Sequence, residues 1–288
     1  MSPPRPAPRG RGGGRPAPDR PARSAGGRRL PARRAWAGWA VALVVLAACA
    51  EPPRPQGDAE ALALLDRARA AHGSAALDRA EVRFGFRGVP FTLRRDGGRF
   101  RYARALTDSL GRAVEEAVDN DGAHRTVGGA AVPLDSAEAA RLATAVNSVA
   151  YFALLPAPLS DPAVRARSLG PGAVGGERFD RVEVTFAQDG GGADWDDRYV
   201  YWLRPDGRIA YYAYTYAPDP ADTSRAETGT RFRALDGERR VGGVLFQDWR
   251  NLTADSVGAI ERFGEAHDAG RTFEVSRVAL DSVRVQTL

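Results

Sequence analysis

Lysine is missing from this 288-residue chain, and cysteine and histidine are scarce. All 41 basic residues are arginine, one residue is cysteine and three are histidine. Without lysine the chain cannot form the Schiff bases on which class I aldolases and pyridoxal phosphate enzymes depend. A single cysteine excludes an internal disulfide and a cysteine-based zinc site. His72, His124 and His267 lack the close spacing of zinc motifs, and His72 and His267 suit the dipole of a helix end.

Motifs of nucleophilic or nucleotide chemistry are also missing. No G-x-S-x-G, Walker or G-x-G-x-x-G pattern lies in a strand–turn–helix context. The acid pairs Glu115-Glu116 and Asp196-Asp197 are adjacent in sequence, so in a strand their side chains point to opposite faces and do not form a glycosidase pair. These observations predict a protein that is not an enzyme and has no cofactor.

The positive charge of the chain is confined to its first residues. The formal net charge is +5, but ten of the 41 arginines and one of the 36 acids precede Cys49, so the remainder carries a net charge of −4. This remainder gives no electrostatic reason to bind a phosphate backbone. Nucleic acid is therefore not a predicted partner.

The N-terminal segment has the pattern of a secretory signal. Residues 1–34 are predicted to be a disordered basic n-region, and residues 35–48, AWAGWAVALVVLAA, carry no charge. A cationic segment before a short apolar core is typical of a signal peptide. Spanning a bilayer takes about 20 apolar residues, and Glu51 and Pro52 end this core, so a transmembrane helix is less favoured.

Leu46-Ala47-Ala48-Cys49 resembles the lipobox of bacterial lipoproteins. The resemblance implies a diacylglyceryl thioether on Cys49, cleavage before it and acylation of the new amine, and two or more acyl chains anchor a protein stably to a membrane. An ordinary signal with a chance cysteine is the alternative. Residues 49–57 are a predicted lipidated, Pro-rich tether. Ala50 favours the outer membrane over the inner by analogy with the enterobacterial sorting rule.

Residues after the tether predict a β-rich domain with about three helices. One helix begins after Asp58 and ends at His72, a second begins after Asp135, where Glu138 completes a capping box, and a third covers 254–267. Alternation of apolar residues indicates hairpins in an antiparallel sheet with one face covered. Turns are predicted at Asp206-Gly207, Asp236-Gly237 and several Gly-Gly pairs. The predicted strands are 82–86, 91–93, 100–102, 114–118, 124–127, 179–186, 198–203, 209–216, 230–235, 241–246 and 273–285.

Aromatic residues concentrate on one predicted hairpin and on the first strands. Such pairs stabilise a sheet by packing, and they also suit a surface that lines a ligand. Both interpretations remain open from the residues alone. The candidate ligand-lining residues are Phe84, Phe86, Phe91, Phe100, Tyr102, Tyr201, Tyr211 and Tyr214.

An acidic, Gly-rich stretch, QDGGGADWDD, is a weak candidate for a calcium loop. Calcium prefers several carboxylate oxygens on a flexible backbone, but the spacing does not fit an EF-hand. A solvated hairpin loop is the alternative, and no metal is predicted outside this loop. The four carboxylates are Asp189, Asp194, Asp196 and Asp197.

Residues 58–288 resemble an uncharacterised family of Gram-negative envelope lipoproteins. The stretches that carry the resemblance include AHGSAALDRAEVRFGFRG, VNSVAYFALLPAPLSDPAV and VEVTFAQDGGGADWDDRYVYW. That family is similar to the LolA/LolB lipoprotein carriers. The resemblance implies one domain over 58–288, an antiparallel β half-barrel covered by helices, and an apolar cavity.

The sequence thus favours a non-enzymatic lipoprotein of the cell envelope, on its periplasmic face, that binds or carries a hydrophobic acyl or lipid ligand. The alternative is an interaction or glycan-binding module that uses exposed Tyr and Trp. Solvent exposure of Trp202 and Tyr212 distinguishes the two, because buried rings favour the first.

Cys49→Ala removes the thiol that would accept the lipid. We expect the variant chain to leave the membrane fraction or to remain uncleaved, as measured by fractionation and by intact mass. Membrane retention with an unchanged mass would contradict the lipid anchor.

Overall fold

A computed structural model describes residues 53–189, 195–216, 229–255 and 259–288. These residues form mostly β-strands with three α-helices, α1 (Ala59–His72), α2 (Ser136–Leu154) and α3 (Phe263–Asp268). No helix in the described ranges has both the length and the hydropathy to cross a bilayer. The strands are β1 (Gln56–Gly57), β2 (Arg79–Phe86), β3 (Val89–Asp96), β4 (Arg99–Thr107), β5 (Ala113–Asp119), β6 (Gly122–Val127), β7 (Ala130–Val132), β8 (Val164–Val174), β9 (Glu177–Phe186), β10 (Tyr199–Leu203), β11 (Ile209–Tyr216), β12 (Gly229–Val241), β13 (Val244–Thr253), β14 (Phe273–Val278) and β15 (Leu280–Thr287).

The strands form two open sheets. The first has the order β1-β8-β9-β10-β11-β12-β13-β14, and the second has the order β15-β2-β3-β4-β5-β6-β7. Every pairing is antiparallel except that of β1 with β8. Only Ala279 separates β14 from β15 in the chain, so the backbone passes directly from the edge of one sheet to the edge of the other. The predicted class, an antiparallel half-barrel with about three helices, is confirmed.

The predicted helix caps are present. Ala61 donates its backbone N–H to the Asp58 carboxylate at 2.7 Å at the start of α1. Asp135 and Glu138 form the reciprocal capping box of α2. Gly73 ends α1 with a left-handed φ of 70°, and a Cβ there would lie 2.3 Å from the carbonyl oxygen of Gly243. Glycine at this position therefore allows both the turn and the close approach of two backbones.

The hairpin between β12 and β13 differs from the prediction. The chain turns at Gly242-Gly243, where both residues have left-handed φ, and this turn splits the predicted strand 241–246. Asp236-Gly237 lies inside β12, where the register shifts between Leu235 and Gly237. The Asp-Gly pair thus forms a bulge rather than a turn, since flanking residues on both sides stay paired with β13.

The C-terminal elements also differ from the prediction. The single predicted strand 273–285 is two strands, β14 and β15, in different sheets. The predicted third helix 254–267 is reduced to a 3₁₀ turn at Ile260–Arg262 followed by α3, and residues 256–258 lie outside the described residues. Strand β8 was not predicted, because Gly170, Pro171 and Gly172 interrupt its apolar pattern.

The helices cover the first sheet from both sides. Leu64, Leu65 and Ala68 of α1 pack with Val182 and Tyr201 on one face. Phe263 of α3 stacks on Phe232 on the other face, with ring centroids 5.5 Å apart. Helix α2 buries an apolar stripe against the second sheet, and that stripe consists of Leu142, Val146, Ala150, Ala153 and Leu154.

His72 is buried at the end of α1, with a side chain only 1% exposed. Ile209 donates its backbone N–H to Nε2 of His72 at 3.2 Å, which requires an unprotonated Nε2. Burial lowers the pKa of His72 to about 4, although the Glu238 carboxylate raises it. The imidazole is therefore neutral. Its protonation state is determined by burial and not, as the sequence suggested, by the dipole of the helix end.

We expect His72 to make the fold less stable in acid. Its pKa is about 4 in the folded chain against 6.5 for an ordinary histidine, so the unfolded chain binds a proton first as the pH falls below 6.5. The contribution is complete above pH 6.5 and falls by about 3 kcal/mol towards pH 4. Urea unfolding of the full chain and of His72→Gln, at several pH values, measures the difference between the two. A difference that does not change with pH would contradict this assignment.

Candidate functional site

A large groove lies between the two sheets and is bounded by α2. Its volume is about 1360 Å³. Phe100 and Tyr102 contribute from the second sheet, and Tyr199 and Tyr214 contribute from the first. Tyr151 and Phe152 extend from α2, next to the exposed polar residues Thr144 and Asn147. The groove therefore has aromatic walls and a partly polar rim.

A smaller cavity of about 350 Å³ adjoins the groove. The two share three lining residues, Arg87, Ser148 and Phe152. The smaller cavity has mainly apolar walls with four polar side chains, the shared Arg87 and Ser148 and, in addition, Arg233 and Gln247. Its apolar walls come from Phe86, Val149, Ala153, Val278 and Leu280.

The tyrosines on the groove side of the first sheet stack across neighbouring strands, and of these Tyr199 and Tyr214 line the groove while Tyr201 and Tyr212 are buried beside them. Tyr199 pairs with Tyr214, and Tyr201 pairs with Tyr212, in the register of β10 and β11. The ring centroids of Tyr199 and Tyr214 are 5.3 Å apart, and those of Tyr201 and Tyr212 are 5.8 Å apart. Directly opposed residues point to the same face of a sheet, so the register itself builds this wall.

The hydroxyls of this wall are uncharged. Burial raises the pKa of Tyr151, Tyr199, Tyr201 and Tyr212 above the ordinary value for tyrosine. The Tyr151 and Tyr201 hydroxyls form a hydrogen bond of 2.9 Å. Tyr151 and Tyr199 border the groove, so at neutral pH they present flat apolar rings with neutral hydroxyls to it, which suits the apolar part of a ligand and its polar substituents.

Arginine is the main charged residue of both cavities. Arg87, Arg95, Arg99 and Arg231 border the groove, where the acids are Asp161 and Asp197. Arg233 borders the smaller cavity. Within the described ranges, none of these five arginines has a carboxylate oxygen within 4.0 Å, whereas Arg104 and Arg198, for example, pair with Glu116 and Glu183. The described lining of the two cavities therefore carries an excess of positive charge.

Four of the predicted lining residues border a cavity. Phe100, Tyr102 and Tyr214 line the groove, and Phe86 lines the smaller cavity. Alternation along β2, β4 and β11 determines the face on which each of them lies.

The other four predicted residues lie elsewhere. Phe84 and Phe91 stack on each other at 5.4 Å and are buried in the core. Tyr201 is fully buried, and its hydroxyl is covered by Tyr151. Tyr211 lies on the opposite face of the first sheet, among Phe179 and Phe232, because it is adjacent in sequence to the inward-facing Tyr212. These residues support the walls or the core and do not line either cavity.

Sequence reasoning missed Tyr151 and the cavity arginines. Thr144, Asn147 and Tyr151 recur at helical spacing on α2, beside the apolar stripe, and this spacing was the available signal. Arg233 gives no such signal, since an arginine between two apolar residues of a strand is normally placed in solvent.

Two other expectations concern residues of the first sheet and its loop. Trp202 is 1% exposed and Tyr212 is fully buried, so neither ring offers a surface to a glycan. Asp194 of the candidate calcium loop lies outside the described residues, and that loop stays a prediction. Within the residues that are described, no group of three or more His, Cys, Asp or Glu is placed to hold a metal ion.

Comparison with protein families gives an assignment. The model of a family described as a family of unknown function, DUF6503, matches residues 128–271, which is half of the chain. The chain belongs to this family. The DUF6503 segment extends from the turn before β7 to the residues after α3 and so contains α2 and the strands β8 to β13. No curated protein sequence matches this DUF6503 chain.

Two solved structures are similar to this chain at low sequence identity. A DUF1329 family protein from Desulfovibrio piger is 13% identical, with a TM-score of 0.40 over 78% of this chain and 92% of that one. A LolA superfamily protein from Nitrosomonas europaea is 9% identical, with a TM-score of 0.39 over 77% of this chain and 94% of that one. Similarity at this level carries no information about a ligand.

We expect Tyr151 and Tyr201 to stabilise the DUF6503 fold as a pair. Tyr151→Phe and Tyr201→Phe each break the 2.9 Å hydrogen bond, so each should lower the free energy of unfolding by about 1 kcal/mol. The double variant should lose little more than either single variant. Urea unfolding of the four chains gives the coupling energy, and additive losses would show that the hydroxyls do not interact.

Proposed function

We propose that this protein binds a hydrophobic ligand with an acyl chain in the groove between its sheets and acts as a carrier or binder without catalysis. The observation that carries this proposal is the groove itself, about 1360 Å³ in volume and lined by aromatic side chains. Sites for small molecules usually have about 300–1,000 Å³. The groove therefore suits a long or bulky ligand.

The walls of the groove support an apolar occupant. Phe152, Leu154 and Tyr199 border the groove and give it apolar surface that an acyl chain can cover. The rings of Tyr199 and Tyr214 are stacked and fixed by strand register. A wall whose rings are already ordered loses little entropy when a chain binds to it.

The N-terminal segment gives the proposed location. A lipidated Cys49 would hold the domain at an envelope membrane, on the periplasmic face and at the outer membrane in preference to the inner. Such an anchor would keep the carrier at the bilayer that is the source or the destination of an acyl ligand.

A glycan-binding module is the weaker candidate. Such a module needs exposed aromatic faces, and Trp202 and Tyr212 are buried. Trp195 and Phe273 are 41% and 48% exposed, but they come from different parts of the chain and do not continue the stacked tyrosine wall. The buried aromatic residues of the first sheet therefore favour the groove over a flat sugar-binding surface.

Filling the groove should abolish binding. Asn147 lines the groove and is exposed on α2, so Asn147→Trp adds a ring inside it without disturbing the buried stripe. Ala140→Trp is the matched control, because Ala140 is exposed on the same helix and does not line the groove. Native mass spectrometry with lipid extraction measures the bound ligand of each full chain. We expect an acyl lipid on the unchanged chain and on Ala140→Trp, and its loss from Asn147→Trp.

The same experiment can contradict the proposal. A purified full chain that carries no extractable lipid, and that takes up none when acyl lipids are added, would leave the groove without the proposed occupant. Equal binding by Asn147→Trp and the unchanged chain would place any bound lipid elsewhere.

A further inference from the structure

One row of side chains crosses the first sheet beneath the two cavities. Tyr201 pairs with Tyr212, Tyr212 with Arg233, Arg233 with Asn251, and Asn251 with Ser276. Directly opposed residues share a face, so all five side chains lie on the face that carries the tyrosine wall. The apolar end of this row is at Tyr201, and its polar end is at Ser276.

Three adjacent members of the row have buried polar atoms that find no hydrogen-bond partner among the described residues. These atoms are Tyr212 Oη, Arg233 Nε and Nη1, and Asn251 Oδ1. Asn251 Nδ2 donates to Ser276 Oγ at 2.8 Å, which leaves its oxygen unpaired. Buried polar groups in proteins are nearly always hydrogen-bonded, and unpaired atoms that cluster need an explanation.

Of the side chains in this row, Arg233 has the largest free-energy cost of burial, because it is charged. Its side chain is 5% exposed, and Nη2 donates to Tyr214 Oη at 2.9 Å. Its guanidinium carbon lies 5.0 Å from the ring centroid of Phe152 and 5.7 Å from that of Tyr214. Arginine keeps its charge at any physiological pH. No carboxylate in the described ranges pairs with it, so a full positive charge lies in the interior with aromatic rings and one hydroxyl as its only close partners.

The cavity of about 350 Å³ lies directly beside this charge. Arg87 also borders it, at the turn between β2 and β3, where its left-handed φ of 51° fixes the backbone. Arg87 Nη2 donates to Ser276 Oγ at 3.3 Å and so connects Arg87 to the polar end of the row. Two arginines thus face one apolar space that opens into the groove, and the charge that would neutralise them is an anion in that space.

We propose that the ligand is an anionic amphiphile whose carboxylate or phosphate group lies against Arg233, at the junction of the two cavities, while its acyl chain occupies the groove. This inference rests on the proposed function, since it specifies the chemical class of the groove's ligand. Charge-assisted hydrogen bonds to an arginine are about twice as strong as neutral ones. The apolar walls strengthen the attraction further, because they lower the local dielectric constant.

A purely structural role for Arg233 gives different consequences. If the stacking on Phe152 and the bond to Tyr214 were its purpose, Arg233→Met would weaken the fold. If the charge of Arg233 is neutralised only by a bound anion, the methionine variant lacks an unpaired buried charge. It should then unfold at the same or a higher temperature in the absence of ligand. Thermal unfolding of the ligand-free chains distinguishes the two.

Competition binding tests the inference. The full chain is mixed with equal amounts of hexadecanoate, hexadecyl phosphate and hexadecan-1-ol, and native mass spectrometry gives the ratio of bound anion to bound alcohol. Every variant is mixed with the same probes in the same detergent. Loss of probe to the detergent is therefore equal for all variants and does not affect the comparison of their binding ratios. We expect Arg233→Met to lower the ratio roughly tenfold or more, with alcohol binding retained. Arg233→Lys should keep most of the preference, and Arg178→Met, an exposed arginine outside both cavities, should not change it.

Each outcome has a defined meaning. A higher signal for the carboxylate or for the phosphate identifies the anion, and either result supports the site. If the three probes bind equally well, or if Arg233→Met lowers the binding of all three alike, the anion site is overturned while the groove remains a binding site for acyl chains. If no probe binds, the proposed function fails and the anion site fails with it.

Discussion

Helix α2 is the element on which the groove depends, because it contacts both sheets with two chemically different faces. One face carries Leu142, Val146 and Ala150 and is buried against the second sheet. The other carries Tyr151 and Phe152, whose rings meet Tyr199 and Tyr214 of the first sheet. A helix that buried a single stripe would allow the sheets to close on it. Aromatic rings on its second face instead keep the wall of the first sheet at a distance, and the space that remains is the groove.

The first sheet tolerates this arrangement because both of its faces are covered. Helix α3 and Phe232 fill the side away from the groove, so the groove side is free to carry tyrosine. Alternation along β11 then determines the face on which each tyrosine lies: Tyr212 lies on the groove side and Tyr211 on the opposite side. Tyr212 is buried beside the wall, and its hydroxyl has no hydrogen-bond partner among the described residues. This unpaired hydroxyl destabilises the sheet at the place where the tyrosine wall meets the buried Arg233.

Local signals made much of the fold predictable. The caps at Asp58, Gly73 and Asp135 act through neighbouring backbone groups, so a few residues suffice to recognise them. Gly-Gly and Asp-Gly pairs marked most hairpins, but Asp236-Gly237 proved to be a bulge because the pairing partner in β13 continues past it. The last predicted strand is split at Ala279 because its two halves pair with the edges of different sheets. These edge strands are distant in sequence, so the residues around Ala279 do not reveal the split. Long-range pairing explains why most strands were predictable from local patterns, while β8 and two strand boundaries were not.

The candidate site was less predictable than the fold, for an electrostatic reason. A count of charges assigns the chain after Ala48 a net charge of −4, which argues against an anionic ligand. The structure distributes that charge unevenly: many arginines pair with carboxylates, as Arg167 and Arg239 do, whereas those at the cavities have no carboxylate partner within the described part of the chain. Field strength at a site depends on nearby unpaired charges and on the local dielectric, and net charge reports neither. Arg233 is the extreme case, since its burial follows from a register that places it between Tyr212 and Asn251. A fold under selection for stability alone gains nothing from such a charge, so its position is best understood as part of a site completed by a ligand.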